Sequence, residues 1–345
     1  MITILEKEIQ EQANVVRRLL ERGLEETQAL MGSLRGKYNY ILIAARGSSG
    51  NAARYAKYLF QIVNQIPVAL ATPSVFSVYH QPPILDGALV LGISQSGKSP
   101  DIVSVMEAAR AQHRPSIAIT NIPGSALEAA AERTFALDAG PEQSVAATKT
   151  YTSSLAAVAL LSAVLSGSTY LLRELTKLPE QIETTLALSL ALTRQMEGIQ
   201  FAPYGAVVGR GYNYSTAHEI ALKIKELTGI TTVPYSSAEF LHGPVASLHM
   251  GYPLLAIAPS GLMYQDICAL IHKAKQLGAE LVVISDREEA LGLARLGLPL
   301  APNTPEWLSP IPAVIPGQVL AWKLASSRGL DPDHPRGLSK ITETF

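Results

Sequence analysis

At 345 residues the chain is long enough for two domains, each with its own core, and 48% hydrophobic against 17% charged residues suits a well-buried α/β protein. A net charge of −1 gives no electrostatic reason to expect nucleic acid or an anionic membrane surface as partner. The single cysteine, Cys268, excludes an intrachain disulfide; it lies in an apolar helix-like stretch and reads as a buried, inert thiol in a reducing, cytoplasmic setting.

The first elements are amphipathic: residues 4 to 32 read as one or two helices. The start, Leu5-Glu6-Lys7-Glu8-Ile9, has no signal-peptide core. Tyr38 to Ala45 is a strand of buried type. A glycine/serine turn follows, Arg46-Gly47-Ser48-Ser49-Gly50, then a helix to about Val63. Further strands are expected at Ile66 to Ala71, Ala88 to Ile93, Ser116 to Thr120 and Thr134 to Leu137. Helices fall between most of them, so this half is a βαβ array on a parallel sheet. Val145 to Leu165 reads as a helix and Tyr170 to Gly198 as a long helical connector. The longest apolar run, Leu155 to Leu165, falls far short of the ~20 residues that span a bilayer.

The second half repeats the plan. Ala206 to Val208 is a strand, followed by Gly209-Arg210-Gly211 and a helix to about Gly229. Pro253 to Ala258 is a strand ending at Pro259-Ser260-Gly261, Glu280 to Ser285 is another, and Pro305 to Arg328 holds the last long helix. Arg46 and Arg210, Gly47 and Gly211, Ala53 and Ala217, and Ile66 and Ile230 are 164 residues apart. So are Phe76 and Phe240, Ile93 and Ile257, Ser96 and Ser260, and Gly97 and Gly261. That constant offset, with several matches at strand ends and turns, points to an internal duplication. The expected division is an N-terminal helical segment 1–34, a first α/β domain 35–168, a connector 169–198, a second domain 199–330 and a tail 331–345.

The stretch best suited to a ligand is Ser94-Gln95-Ser96-Gly97-Lys98-Ser99. It joins a strand to a helix with proline in its first turn, where unpartnered N–H groups and the helix dipole favour an anion. Gly47-Ser48-Ser49 ends a second strand of the same sheet. Hydroxyls from both loops can converge on one phosphate, although serine and glycine also build ordinary surface turns. Gly92 to Ser99 additionally fits the G-x-x-x-x-G-K-[ST] pattern of nucleotide hydrolases. The second copy, Ala258-Pro259-Ser260-Gly261, lacks the lysine, and no magnesium-binding Asp is evident at a strand end.

Other candidates are open on spacing alone. Lys223 and Glu226 share a helical face at i, i+3, where an exposed salt bridge is the commoner outcome. His242 precedes Gly243-Pro244, so it sits at a helix end or turn where an imidazole is accessible for proton transfer. Val145-Ala146-Ala147-Thr148-Lys149 opens a helix. The tail Asp331-Pro332-Asp333-His334-Pro335-Arg336-Gly337-Leu338-Ser339-Lys340 is either disordered or a segment that closes over a site.

Four motifs in order make the chain resemble the double sugar-isomerase (SIS) domain of glucosamine-6-phosphate synthase and its relatives. They are Glu8-Ile9-Gln10-Glu11-Gln12, Ser94-Gln95-Ser96-Gly97, Glu239-Phe240-Leu241-His242-Gly243-Pro244, and Asp333-His334-Pro335-Arg336-Gly337-Leu338-Ser339-Lys340. The resemblance implies two tandem flavodoxin-like domains, each a parallel sheet flanked by helices, related by duplication. It implies that Ser49, Ser94, Gln95, Ser96 and Ser99 hold a sugar phosphate, with Gly47, Ser48, Val145 and Ala147 at the sugar. Ser99 stands where the family more often has threonine, Lys98 where it often has glutamate, and Ala147 where the synthase has serine. Glu226 is implied as the base between C1 and C2, assisted by Lys223. His242 is implied to open the ring, donated from the neighbouring subunit of a homodimer. Lys340 is implied to close over the sugar, with imine formation open to it. The synthase's glutaminase domain, with its cysteine nucleophile, is not expected in a chain opening Met1-Ile2 with Cys268 alone. The implied activity is deamination of glucosamine 6-phosphate to fructose 6-phosphate and ammonia, without metal or cofactor. The rivals are a fructosamine-phosphate deglycase or related ketose/aldose isomerase, and a non-enzymatic sugar-phosphate sensor.

Overall fold

The computed structural model describes residues 2–34, 36–196 and 203–340. Gly198, expected to end the connector, and the tail beyond Lys340 lie outside the described residues. The chain gathers into two compact units. The first holds residues 14–142, 149–176 and 339–340; the second holds 2–13, 143–148 and 177–338.

In the first unit β1 (Tyr40–Ala45), β2 (Val68–Leu70), β3 (Ala88–Ile93), β4 (Ser116–Thr120) and β5 (Arg133–Ala136) pair in parallel, in the order β2-β1-β3-β4-β5. In the second, β6 (Tyr204–Gly209), β7 (Thr231–Ser236), β8 (Pro253–Ile257), β9 (Glu280–Ser285) and β10 (Leu296–Pro299) pair in the order β7-β6-β8-β9-β10. The two orders are equivalent, and both ends of β6 lie 164 residues beyond those of β1. β3 and β4 are buried at every position, as central strands covered on both faces must be.

β7 and β10 are strands that the apolar pattern does not announce. Among the described residues, β7, which contains Pro234, pairs only with β6, and β10, which contains Gly297 and Pro299, pairs only with β9. An edge strand needs ladder bonds on one side only, so a missing N–H is tolerated there. The strand expected at Ile66 to Ala71 contracts to Val68–Leu70, also at an edge.

The helices up to the first sheet's end are α1 (Ile4–Gln10), α2 (Gln12–Leu34), α3 (Gly47–Val63), α4 (Pro73–Ser77), α5 (Pro100–Ala111) and α6 (Ala126–Ala130). α3 starts at Gly47, so Ser48 and Ser49 occupy its first turn rather than a preceding loop. Next come α7 (Lys149–Ser166), α8 (Thr169–Thr176), α9 (Leu178–Ala191) and α10 (Thr193–Met196). α7 begins at Lys149, not Val145: the Glu142 carboxylate accepts the Thr150 N–H at 3.1 Å and so satisfies a donor of the first helical turn. The expected connector is three helices, α8 to α10, with breaks at Lys177 and Leu192.

The remaining helices are α11 (Tyr214–Thr228), α12 (Ser237–Leu241), α13 (Tyr264–Gln276), α14 (Glu288–Leu291) and α15 (Pro310–Ser327). α15 is buried on nearly every side and packs against α11. Gly317 permits the close approach, since a side chain there would collide with Ile220. Gly229 ends α11 with φ +72, a left-handed cap that suits glycine. α11 is thereby clamped along its buried face and stopped cleanly. Cys268 is buried in α13, and burial pushes its thiol pKa up. No helix among the described residues is long and apolar enough to cross a membrane.

Candidate functional site

In the first unit, β1 and β3 lie side by side, with Ala45 opposite Ile93 at their carboxyl ends. Right-handed crossovers send the helices after these strands to opposite faces of the sheet, which opens a crevice between their ends. Both hydroxyl-bearing segments start at this crevice.

The 94–99 loop is internally braced. Ser94 is buried and its Oγ accepts the Gly97 N–H at 3.2 Å; the Ser96 Oγ accepts the Lys98 N–H at 3.3 Å. The Gln95 carbonyl accepts the Asn121 N–H at 3.1 Å, and the Gly97 carbonyl accepts the Leu127 N–H at 2.9 Å. Gly97 holds φ +62, and a β-carbon there would run into Ser125. Ser99 is the N-cap of α5, with Pro100 following. Gly47, at φ +52, and the partly exposed Ser48 and Ser49 open α3. Two helix starts, those of α3 and α5, thus lie at the carboxyl ends of neighbouring strands, where backbone N–H groups and the helix dipole favour an anion.

A pair absent from the sequence reading ties the crevice together. Arg46 Nε stands 2.6 Å from a carboxylate oxygen of Asp101, which is wholly buried in the first turn of α5. The second copy repeats it: Arg210 stands 2.5 Å from Asp266. Asp101 and Asp266 are 165 residues apart, one off the repeat, so subtraction at a fixed offset passes over them.

The nucleotide-hydrolase pattern does not survive the fold. Its first glycine, Gly92, lies inside β3, where a β-carbon would press on Met106 and Leu127. Packing explains that glycine, and only residues 94–99 separate strand from helix.

The second copy's turn, by contrast, is already taken. The Leu262 and Met263 N–H groups donate to the Glu306 carboxylate at 2.9 and 3.2 Å, and the Ser260 N–H donates to Asp286 at 2.7 Å. A side chain at Gly261 would collide with Glu306. The chain's own acids fill the position an external anion would take. Glu306 also helps burial push the Tyr212 phenol up to about 12.

The second unit brings together a different set. Lys223 is only 1% exposed, with Nζ 2.6 Å from a Glu226 oxygen and 3.4 Å from a wholly buried Glu219 oxygen. The pair is therefore not the solvated salt bridge that spacing alone favours. Lys225, on another face of α11, is exposed. Glu226 lines a cleft of about 740 Å³ together with Lys225, Asp331, His334 and Arg336.

The tail is ordered as turns through Lys340. Asp333 accepts the N–H groups of Ile4 and Leu5 at 3.0 and 2.8 Å, which caps α1. The Asp333 N–H, with burial opposing and His334 adding, holds the Asp331 carboxyl below its ordinary range. Glu8 of α1 accepts from the Ser144 hydroxyl and N–H, beside Val145, whose own N–H reaches the Asp333 carbonyl at 3.3 Å. Ala147 is half-buried in the same loop.

His242 is exposed and caps the C-terminus of α12. Among the described residues, its ring makes no hydrogen bond or ion pair with another candidate. α12 begins with a Ser236/Glu239 capping box, and the Ser236 N–H and hydroxyl hold the Glu239 carboxyl below its ordinary value. In the first unit, Lys340 Nζ lies 3.1 Å from the buried Glu142. Glu142 was not singled out from sequence; its only local signal is an acid a few residues ahead of a helix start.

A model of the SIS domain matches residues 36–164 and 206–291. The glutamine--fructose-6-phosphate aminotransferase (isomerizing) of Thermococcus kodakarensis is 36% identical over 344 residues, which cover 97% of this chain and 57% of that protein. The chain thus spans a little over half the length of such curated relatives. The C-terminal domain of glucosamine-fructose-6-phosphate aminotransferase from Francisella tularensis superposes with a TM-score of 0.86 at 26% identity, covering 97% of this chain and 99% of that one. A candidate phosphosugar isomerase from Silicibacter pomeroyi DSS-3 gives the same TM-score at 32% identity, covering 96% of this chain and all of that one.

Proposed function

The chain belongs to the SIS domain family, and from that membership we propose that it isomerises a phosphorylated amino sugar, converting glucosamine 6-phosphate and water to fructose 6-phosphate and ammonia. Ser94, Gln95, Ser96 and Ser99, with Ser49, hold the phosphate ester. Gly47, Ser48, Val145 and Ala147 contact the sugar. Glu226 moves a proton between C1 and C2, and Lys223 assists it electrostatically from 2.6 Å. His242, from a second copy of the chain in a homodimer, opens the pyranose ring, and Lys340 closes over the open sugar.

The observation that carries this reading is the Lys223–Glu226 pair. A fully buried lysine 2.6 Å from a carboxylate that lines an open cleft is a costly arrangement for a merely structural bridge. A base fixed over two adjacent carbons is what an aldose–ketose proton shift requires. The name of the curated relatives, an isomerizing fructose-6-phosphate aminotransferase, supports one alternative, an isomerisation that starts from fructose 6-phosphate.

The test is a substrate panel read for ammonia and fructose 6-phosphate, with Glu226→Gln beside the wild type. Turnover of glucosamine 6-phosphate that Glu226→Gln abolishes while sparing binding is expected. Turnover of amino-acid-substituted sugars alone would make the chain a deglycase. Binding without turnover of any sugar phosphate would make it a sensor.

A further inference from the structure

We propose that Glu142 is the positioning residue that seats Lys340; the proposal deepens the reading above and rests on it for the part Lys340 plays at the sugar. The Glu142 side chain is wholly buried in the first unit. One oxygen accepts the Thr150 N–H at 3.1 Å. The other accepts the Thr150 hydroxyl at 2.6 Å and lies 3.1 Å from Lys340 Nζ. Thr150 belongs to α7, whose residues from Lys149 to Ala163 are all buried. The acceptor is therefore anchored to one of the most completely buried elements of the unit.

Lys340 lies outside any helix or strand. It follows a run of turns, and its four-carbon stem has many rotamers. Its ammonium nonetheless sits with only a quarter of the side chain exposed. A buried carboxylate demands a cation and hydrogen bonds, so Glu142 draws the lysine ammonium to a fixed acceptor. A group that must meet one carbon of an opened sugar gains rate from being held in one place, and a displacement of an ångström is costly.

Reductive methylation with formaldehyde and cyanoborohydride, resolved by residue with mass spectrometry, tests the seat without using activity. Wild-type Lys340 should react slowly beside the exposed Lys98. Glu142→Gln should speed Lys340 by about tenfold and leave Lys98 unchanged, with Glu142→Asp between the two. An unchanged Lys340 rate overturns the proposal. With glucosamine 6-phosphate, Glu142→Gln should lower kcat while KM stays within about twofold, and Glu142→Asp should restore part of kcat. Faster labelling with unaltered kcat also overturns the positioning role. If Glu142→Gln does not fold, Thr150→Val loosens the same carboxylate while keeping its charge; faster Lys340 labelling then supports the seat and an unchanged rate refutes it. Absence of turnover in the wild type would defeat the functional reading, while the labelling rates would still decide whether Glu142 holds Lys340.

Discussion

Replacing Lys223 with methionine removes a cation from a place where the carboxylates stay behind. Methionine fills nearly the same volume as the lysine stem, so packing changes little and the loss is chiefly electrostatic. Glu219 is 0% exposed and cannot turn to water, and Glu226 is only 23% exposed. Breaking a buried pair by removing one partner costs about 3–5 kcal/mol, because the remaining charge is left uncompensated. In a unit of this size each kcal/mol moves the melting temperature by about 2–4 °C, so the expected fall is roughly 6–20 °C. Both tryptophans, Trp307 and Trp322, are buried in the second unit, so their fluorescence reads the unfolding of the unit that carries α11. Glu226→Gln should melt closer to wild type, because Lys223 then keeps Glu219. A Lys223→Met shift under about 2 °C would put the pair on the scale of a solvent-exposed bridge. Lys223 would then have no special part in holding Glu226 for chemistry.

Ser94→Ala with Ser96→Ala should weaken fructose 6-phosphate binding at least about tenfold, since each hydrogen bond to a charged group contributes about 1.5–3 kcal/mol; calorimetry giving wild-type affinity would discredit the phosphate loop. Gly97→Ala forces a side chain into a left-handed conformation and against Ser125. It should cost at least about 1–3 kcal/mol in urea denaturation and impair phosphate binding, and a wild-type midpoint would contradict the assigned loop geometry. Because Glu239 titrates below its ordinary 4.5, its cap on α12 is in full force above that value and is lost as the pH falls through the lowered one. The protection of the Ser236 amide, its exchange taken relative to the intrinsic rate at each pH, should fall on that descent, and unchanged protection would mean the capping box contributes nothing in solution.

The helix bearing Glu226 and the two strands flanking the first crevice follow from local chemistry. Apolar runs such as Ala88-Leu89-Val90-Leu91 must be covered on both faces, and the serine- and glycine-bearing stretches after Ala45 and Ile93 are the residue types that turn a chain at a strand end. Edge strands escape this logic, because β7 and β10 have ladder bonds to make on one side only and admit proline. The start of α7 escapes it too, since it depends on a hydrogen bond from Thr150 to Glu142 across eight residues.

Amino-acid order alone determined that the chain holds two copies of one α/β plan and which turns carry the hydroxyls, because burial periodicity and turn preference act over a few residues. Tertiary structure decided which acids meet which bases. Asp101 receives Arg46 from 55 residues away, Glu306 fills the turn at Leu262 from 44, and Lys340 meets Glu142 from 198. Charge pairing falls off over a few ångströms and takes no account of chain separation, so only the folded arrangement distinguishes the 94–99 turn from its copy, whose N–H groups the protein's own Glu306 carboxylate takes.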